Sequence, residues 1–271
     1  MTEMCHEIQS IIDKCAIRTL FQPIVHVTTG GIVGYEALSR GPQGSRYERP
    51  DNLFAAANLC NLLWEVEVLC RTMAIERACA LGLQSNLFLN VDPRIIHDPK
   101  FRVGVTGDLL KHLPLTPQQI VFEVTEKAAI ADYAMFRDVL AHYVSQGYRV
   151  AVDDTGAGYS GLRTITEIRP HFIKLDMAII RGVASDALKQ EVVRHMQALA
   201  KVTGMILVAE GVETESELTT LIGLGVEYVQ GYLLGMPVEH LATSVSSQAK
   251  AILRFTGRTQ LSFIGIAACD S

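Results

Sequence analysis

The chain has 271 residues, a formal net charge of −5 and 49% hydrophobic residues. This length suits one large α/β barrel or two smaller domains. The negative charge argues against a nucleic-acid polymer as partner, because such partners need a basic face. The amino terminus is charged throughout, and no uncharged apolar run reaches ~18 residues. We therefore predict no targeting or membrane segment and a cytoplasmic location.

The six cysteines show no CxxC spacing and no dense framework. This pattern predicts reduced cysteines in a cytosolic protein. Cys60, Cys70 and Cys79 fall in a stretch with a helical pattern. We interpret these three as packing groups.

The first elements predict a helix and then a hairpin. Residues 1–17 read as a lead-in helix, and FQPIVHV (21–27) and GIVGYEAL (31–38) read as strands. The glycine-rich TTGG between them is typical of a tight turn. The segment 51–81 reads as one long helical region that begins at an Asp51 cap.

Strands and helices then alternate. The predicted strands are 86–91, 119–124, 149–153, 171–175, 205–209 and 226–230. The predicted helices are 105–112, 132–146, 160–168, 186–203, 215–223 and one that starts near 239. Such alternation indicates a parallel sheet, and about eight strands indicate closure into a barrel. We assign 18–245 to the barrel and 246–271 to a C-terminal helix or extension, which is a candidate linker to a further domain.

Seven apolar runs end on a charged or metal-competent residue. These residues are Glu36, Asn90, Glu123, the pair Asp153 and Asp154, Lys174, Glu210 and Gln230. In a (β/α)8 barrel the strand C-termini converge on one mouth, where chemistry occurs. Oxygen ligands from many strands therefore predict a site for a hard divalent cation that acts on phosphate.

Six ordered motifs resemble the EAL-domain family, whose members are bacterial phosphodiesterases that hydrolyse cyclic di-GMP. The motifs are GYEALSR (34–40), FEVTE (122–126), VDDTGAGYSGL (152–162), FIKLD (172–176), AEGVET (209–214) and VQGYLLGMP (229–237). The resemblance implies a (β/α)8 TIM-type barrel with one antiparallel strand, which agrees with the predicted hairpin. It also implies a homodimer. The apolar end of the tail, LSFIGIAAC, separately leads us to expect a sensory or regulatory domain in the full-length protein.

The resemblance assigns roles residue by residue. The implied metal ligands, for two Mg²⁺ or Mn²⁺ ions, are Glu36, Asn90, Glu123, Asp153 as the bridging carboxylate, and Asp154. The implied catalytic and supporting residues are Lys174 at a catalytic water or phosphate oxygen, Glu210 as general base or second-metal ligand, Glu126 and Glu213 as supporting carboxylates, and Gln230 at the rim. The implied substrate-binding residues are Gln22 at a guanine edge, Leu38, and Arg40 at a phosphate.

The glycine-rich loop departs from the pattern DDFGTGYSS that is common in active members. Thr155 replaces an aromatic residue and Ala157 replaces a hydroxyl residue. His171 stands where an acid is usual, and Met236 where a basic residue is usual. The loop changes bear on regulation and rate more than on metal binding.

We predict metal-dependent hydrolysis of cyclic di-GMP to linear pGpG. The alternative is a weak or inactive EAL domain that serves as a cyclic di-GMP receptor or interaction module. Retention of every metal ligand favours the enzyme, whereas the altered loop favours the receptor. A third hypothesis, an unrelated barrel glycosidase that uses two carboxylates, would need no metal. The scattered histidines, with no HExxH, argue against a histidine-based metal site.

Overall fold

The computed structural model describes residues 3–92, 94–95, 98–125, 133–156 and 161–253. The eight predicted strands and most of the predicted helices are present, with shifts of a few residues at their ends. The strands are β1 (Arg18–His26), β2 (Ile32–Arg40), β3 (Asn86–Asn90), β4 (Ile120–Thr125), β5 (Arg149–Thr155), β6 (Phe172–Leu175), β7 (Ile206–Ala209) and β8 (Tyr228–Gln230). The helices are α1 (Glu3–Asp13), α2 (Pro50–Leu59), α3 (Leu63–Ala80), α4 (Val105–Leu110), α5 (Tyr133–Ser145), α6 (Gly161–Ile168), α7 (Met177–Ile180), α8 (Ala187–Thr203) and α9 (Glu215–Gly223).

The eight strands form a closed barrel in sequential order. Strand β1 is antiparallel to both β2 and β8, and every other neighbouring pair is parallel. The predicted (β/α)8 barrel with one antiparallel strand is therefore confirmed.

A layer of apolar side chains fills the lower barrel interior. It consists of Ile24, Phe88, Val121, Ala151, Phe172 and Val208, one from each of six strands. The rings of Phe88 and Phe172 meet edge to face with centroids 5.0 Å apart. We call this set the barrel floor. Because side chains alternate along a strand, residues two positions from the floor share its inward orientation.

Two helix predictions were wrong in detail. The region 51–81 is two helices, because Asn61 adopts φ 55° between α2 and α3 and this left-handed conformation ends a helix. Asp51 lies within the first turn of α2, after Pro50, and does not cap it.

No helix starts near 239, since Val238 exchanges backbone hydrogen bonds with Phe21 of β1. A helical segment covers 247–253 instead, and the Ser246 hydroxyl accepts from the Ala249 amide at its start. The remainder of the predicted extension, 254–271, lies outside the described residues.

The prediction of reduced cysteines was wrong for one pair. Cys5 on α1 and Cys60 at the end of α2 form a disulfide, with their Cα atoms 5.4 Å apart. The two cysteines are 55 residues apart in sequence, so spacing does not reveal their approach in space. Cys70 is buried, as expected of a packing group, whereas Cys79 is half-buried and Cys15 is exposed.

Across the described part of the chain, no helix is both long and apolar enough to cross a membrane.

Candidate active site

A layer of polar side chains lies directly above the barrel floor. Asn90, Glu123, Asp153, Lys174 and Glu210 each stand two residues beyond a floor residue of the same segment. Alternation therefore brings these five inward on top of apolar packing. Glu36, Gln22 and Gln230 complete the layer from β2, β1 and β8 through the contacts given below.

Lys174 lies at the centre of the layer and is 1% exposed. Its Nζ is 2.7 Å from Glu123 Oε1, 3.3 Å from Glu36 Oε2 and 3.6 Å from Asp153 Oδ1, and it also pairs with Glu210 Oε1. One buried cation thus faces four carboxylates. The site carries a net negative charge that a further cation would relieve.

The amide side chains orient Glu36. Asn90 Nδ2 donates to Glu36 Oε1 over 2.8 Å, and Gln230 Nε2 donates to Glu36 Oε2 over 2.6 Å. Gln230 Nε2 also donates to Gln22 Oε1 over 3.1 Å. Burial works against ionisation of Glu36, but the Lys174 charge and these hydrogen bonds hold its pKa below the ordinary value.

Glu123 and Glu210 have the opposite behaviour. Burial, together with the neighbouring carboxylates, raises the pKa of Glu123 and Glu210 well above the ordinary value despite the attraction of Lys174. Burial disfavours the charge on Lys174, but the four carboxylates outweigh it and raise the Lys174 pKa. Glu123 and Glu210 therefore bind protons more readily than ordinary glutamates do, and a bound cation would compete with those protons.

A β-bulge directs two consecutive acids to one place. Pairing between β5 and β6 shifts register between Val152 and Thr155, and Asp154 adopts φ 55°. Simple alternation would send Asp153 and Asp154 to opposite faces, whereas a bulge re-aims the chain. The Asp154 amide donates to Asp153 Oδ1 over 2.8 Å.

The layer offers oxygen ligands suited to a hard divalent cation. One oxygen from each of Asp153, Asp154 and Glu210 lies within 4.8 Å of the other two. Glu123 Oε2 is buried and accepts no hydrogen bond from the described residues. A buried carboxylate oxygen without a donor, beside three converging carboxylates, fits Mg²⁺, Mn²⁺ or Ca²⁺.

Two glycines permit the loops at the mouth to approach. A Cβ on Gly231 would lie 2.2 Å from Val212 O, and one on Gly211 would lie 2.5 Å from Met177 Cβ. The Val212 amide donates to Gln230 O over 3.1 Å. Gly231 therefore allows the segments after Glu210 and Gln230 to pack against each other, and Gly211 allows the segment after Glu210 to pack against Met177.

The remaining predicted residues lie outside this group of contacts. Leu38 and Arg40 follow Glu36 at alternate positions of β2 and are half-buried, and Arg40 Nη1 donates to Ser39 O. Glu213 is exposed and accepts from Arg181 Nη2 over 2.7 Å. Glu126 and Ala157 lie outside the described residues.

The motif analysis missed Glu217, which organises the loop after β7. Its carboxylate accepts from the amides of Glu213, Thr214 and Gly182, each over 3.0 Å. Burial would raise the Glu217 pKa, but these donors lower it. The available signal was the capping box formed by Thr214 and Glu217.

Comparison with known proteins identifies the family. The family model described as EAL domain matches residues 6–237. The chain belongs to the EAL domain family. It is 29% identical over 242 residues to the cyclic di-GMP phosphodiesterase PdeF of Escherichia coli. The aligned region covers 86% of this chain and 32% of PdeF.

Two solved complexes of Klebsiella pneumoniae BlrP1 resemble this EAL domain. The complex with calcium and cyclic di-GMP is 31% identical, has a TM-score of 0.78, and covers 84% of this chain and 58% of BlrP1. The complex with manganese and cyclic di-GMP at pH 9.0 is also 31% identical, has a TM-score of 0.75, and covers 82% of this chain and 56% of BlrP1. The EAL chain thus spans about a third of PdeF and somewhat over half of BlrP1.

Proposed function

We propose that this EAL domain hydrolyses cyclic di-GMP to linear pGpG with divalent metal ions, Mg²⁺ or Mn²⁺, as cofactor. The observation that carries the proposal is the convergence of Asp153, Asp154 and Glu210 within 4.8 Å, on a layer that Lys174 alone does not neutralise. The name of PdeF, a cyclic di-GMP phosphodiesterase, and the cyclic di-GMP in the BlrP1 complex support the substrate.

The metal roles follow from the donor set. Glu36, Asn90, Glu123, Asp153 and Asp154 would hold the ions, two in number, with Asp153 shared between them. When bound, such ions neutralise a phosphodiester, lower the pKa of a nearby water and steady the leaving oxygen.

The protein's own groups carry the remaining work. Lys174 Nζ would place a positive charge next to a phosphate oxygen or a water molecule. Glu210, whose pKa burial raises, is suited to accept a proton at its carboxylate when water attacks. Arg40 can bind a phosphate through two parallel N–H donors, Gln22 and Leu38 would contact the base, and Gln230 holds Glu36 in place.

Two further carboxylates, Glu213 and Glu126, are proposed to support the site. We propose that Glu213 braces the site indirectly, through the loop that Glu217 organises. Glu126 is proposed only from the motif, as the residue that steadies the loop after Asp154. We also propose a cytoplasmic location, a homodimer, and a regulatory domain that is joined through 246–271.

The test is incubation of purified protein with cyclic di-GMP and Mg²⁺, Mn²⁺ or EDTA, followed by chromatography. We expect pGpG only with metal, and loss of product in Glu36→Ala and Glu210→Ala. Glu227→Ala is the matched control, because Glu227 is an exposed acid at the opposite end of the barrel. Product that forms equally in EDTA would refute the metal-dependent reaction.

The receptor hypothesis has one supporting observation. Thr155, in place of the usual aromatic residue, is 4% exposed and its hydroxyl has no hydrogen-bond partner among the described residues. Such a group is poorly accommodated and marks the loop as altered. Binding of intact cyclic di-GMP without product would favour the receptor and make Thr155→Phe the first reversion to measure.

A further inference from the structure

Helix α3 carries a buried ion pair outside the polar layer. Glu67 is 3% exposed and Arg71 is 7% exposed, and Arg71 Nη2 lies 3.6 Å from Glu67 Oε2. Neither side chain contributes to the contacts around Lys174 described above. A buried ion pair is costly to desolvate and is weak evidence for stability on its own, so its contacts must explain it.

Glu67 holds the turn that follows Asn90. Its Oε1 accepts from the Asp92 amide over 2.8 Å. Val91 lies between Asn90 and Asp92, and its amide donates to the Glu123 carbonyl over 2.9 Å. The turn is thus attached to α3 on one side and to the strand that carries Glu123 on the other.

Arg71 contacts strand β4 on the outer face of the barrel. Its guanidinium lies 5.2 Å from the centroid of the Phe122 ring, and its Nη1 donates to Thr106 Oγ1 over 3.1 Å. Phe122 immediately precedes Glu123, and alternation places these two side chains on opposite faces of the sheet. The packing of Arg71 against Phe122 on the outer face therefore helps to fix the position of the Glu123 carboxylate inside the barrel.

We infer that Glu67 is a positioning residue for metal binding: through the Asp92 amide, and through Arg71 against Phe122, it sets the positions of Asn90 and Glu123. The inference rests on the metal roles in the proposed function. Side chains that orient metal ligands commonly change metal affinity about 10- to 100-fold when they are removed.

The test is the Mn²⁺ dissociation constant, measured from the free-ion signal in electron paramagnetic resonance without substrate. Glu67→Met keeps the length and removes the acceptor, and we expect affinity to fall at least ~10-fold. Glu67→Gln keeps an acceptor for the Asp92 amide, and we expect affinity to stay within ~3-fold of wild type. Glu65→Met is the matched control, because Glu65 is an acid on the same helix that pairs with Lys100.

Fluorescence of Trp64, the single tryptophan, checks that α3 remains packed in each variant. Trp64 lies on α3 one turn before Glu67, with its ring against Phe101. If Glu67→Met does not fold, Glu67→Asp takes its place, because it keeps the charge for Arg71 but shortens the reach to the Asp92 amide. We then expect Glu67→Asp to weaken Mn²⁺ binding as well.

The outcomes separate this inference from the proposed function. Folded Glu67→Met with wild-type Mn²⁺ affinity, or an equal loss in Glu65→Met, would overturn the inference alone. Selective loss of Mn²⁺ affinity in a protein that does not hydrolyse cyclic di-GMP would support the inference and contradict the enzyme. A wild-type protein without Mn²⁺ affinity would overturn both.

Discussion

Replacement of Lys174 by methionine removes the one cation at the centre of the polar layer while nearly preserving side-chain length. At an effective dielectric constant of ~20, attraction across the 2.7 Å gap to Glu123 alone amounts to ~6 kcal/mol. The variant can avoid this loss by protonating a carboxylate, which at pH 8 costs ~5 kcal/mol for a group with an ordinary glutamate pKa. We therefore expect metal-free Lys174→Met to lose about 3 to 5 kcal/mol of unfolding free energy at pH 8.

The loss depends on pH with a definite sign. The folded variant binds more protons than its unfolded chain, so its stability falls as pH rises. At pH 5.5 the same protonation costs only ~1.6 kcal/mol, and the deficit relative to wild type shrinks accordingly.

Urea unfolding of EDTA-treated protein at pH 5.5 and pH 8, followed by circular dichroism, measures both values. Lys111→Met is the control, since Lys111 pairs with Asp108 on the exposed surface and should unfold like wild type. Excess Mn²⁺ should restore part of the stability of Lys174→Met, because a bound cation replaces the missing charge. A variant as stable as wild type at pH 8, or one whose deficit is the same at both pH values, would refute the electrostatic account of the layer.

Two further predictions concern groups away from the polar layer. Burial raises the pKa of Glu67 to about 7, so wild type loses stability as pH rises from the ordinary value of 4.5 through 7. The unfolding free energy of Glu67→Gln, measured with urea, should rise by roughly 2 to 3 kcal/mol relative to that of wild type between pH 5 and pH 8. A difference between the two proteins that is the same at both pH values would contradict the raised pKa. The Cys5–Cys60 disulfide closes a loop with a sequence separation of 55, so dithiothreitol or Cys5→Ser should lower unfolding free energy by up to ~4 kcal/mol. Dithiothreitol should not change the unfolding free energy of Cys5→Ser. Identical unfolding free energies for oxidised and reduced wild type would argue against the disulfide.

Much of the fold was predictable because burial and backbone pairing leave the same mark on the sequence. Runs such as NLFLN and HFIK are short and apolar, and they indicate strands whatever their neighbours are. The ends of apolar runs were less reliable guides to strand ends. Glu36 ends an apolar run, yet β2 continues to Arg40 because β1 pairs with it over its whole length.

The site was predictable to the extent that its residues follow strands. The bulge at Asp153 and Asp154 was not predictable from alternation, since alternation places consecutive residues on opposite faces. Glu67 escaped notice because a lone acid on a helix is usually solvated. The disulfide escaped notice because only the packing of α1 against α2 brings Cys5 near Cys60.

The barrel interior has two levels, the apolar barrel floor and the polar layer above it. Its six side chains close the interior without using any proposed ligand, so their packing does not need any one of those ligands. Mutational drift can therefore alter the upper level one residue at a time while the barrel persists. Lys174 is the exception, because its replacement changes the charge of the polar layer and the stability of the barrel together.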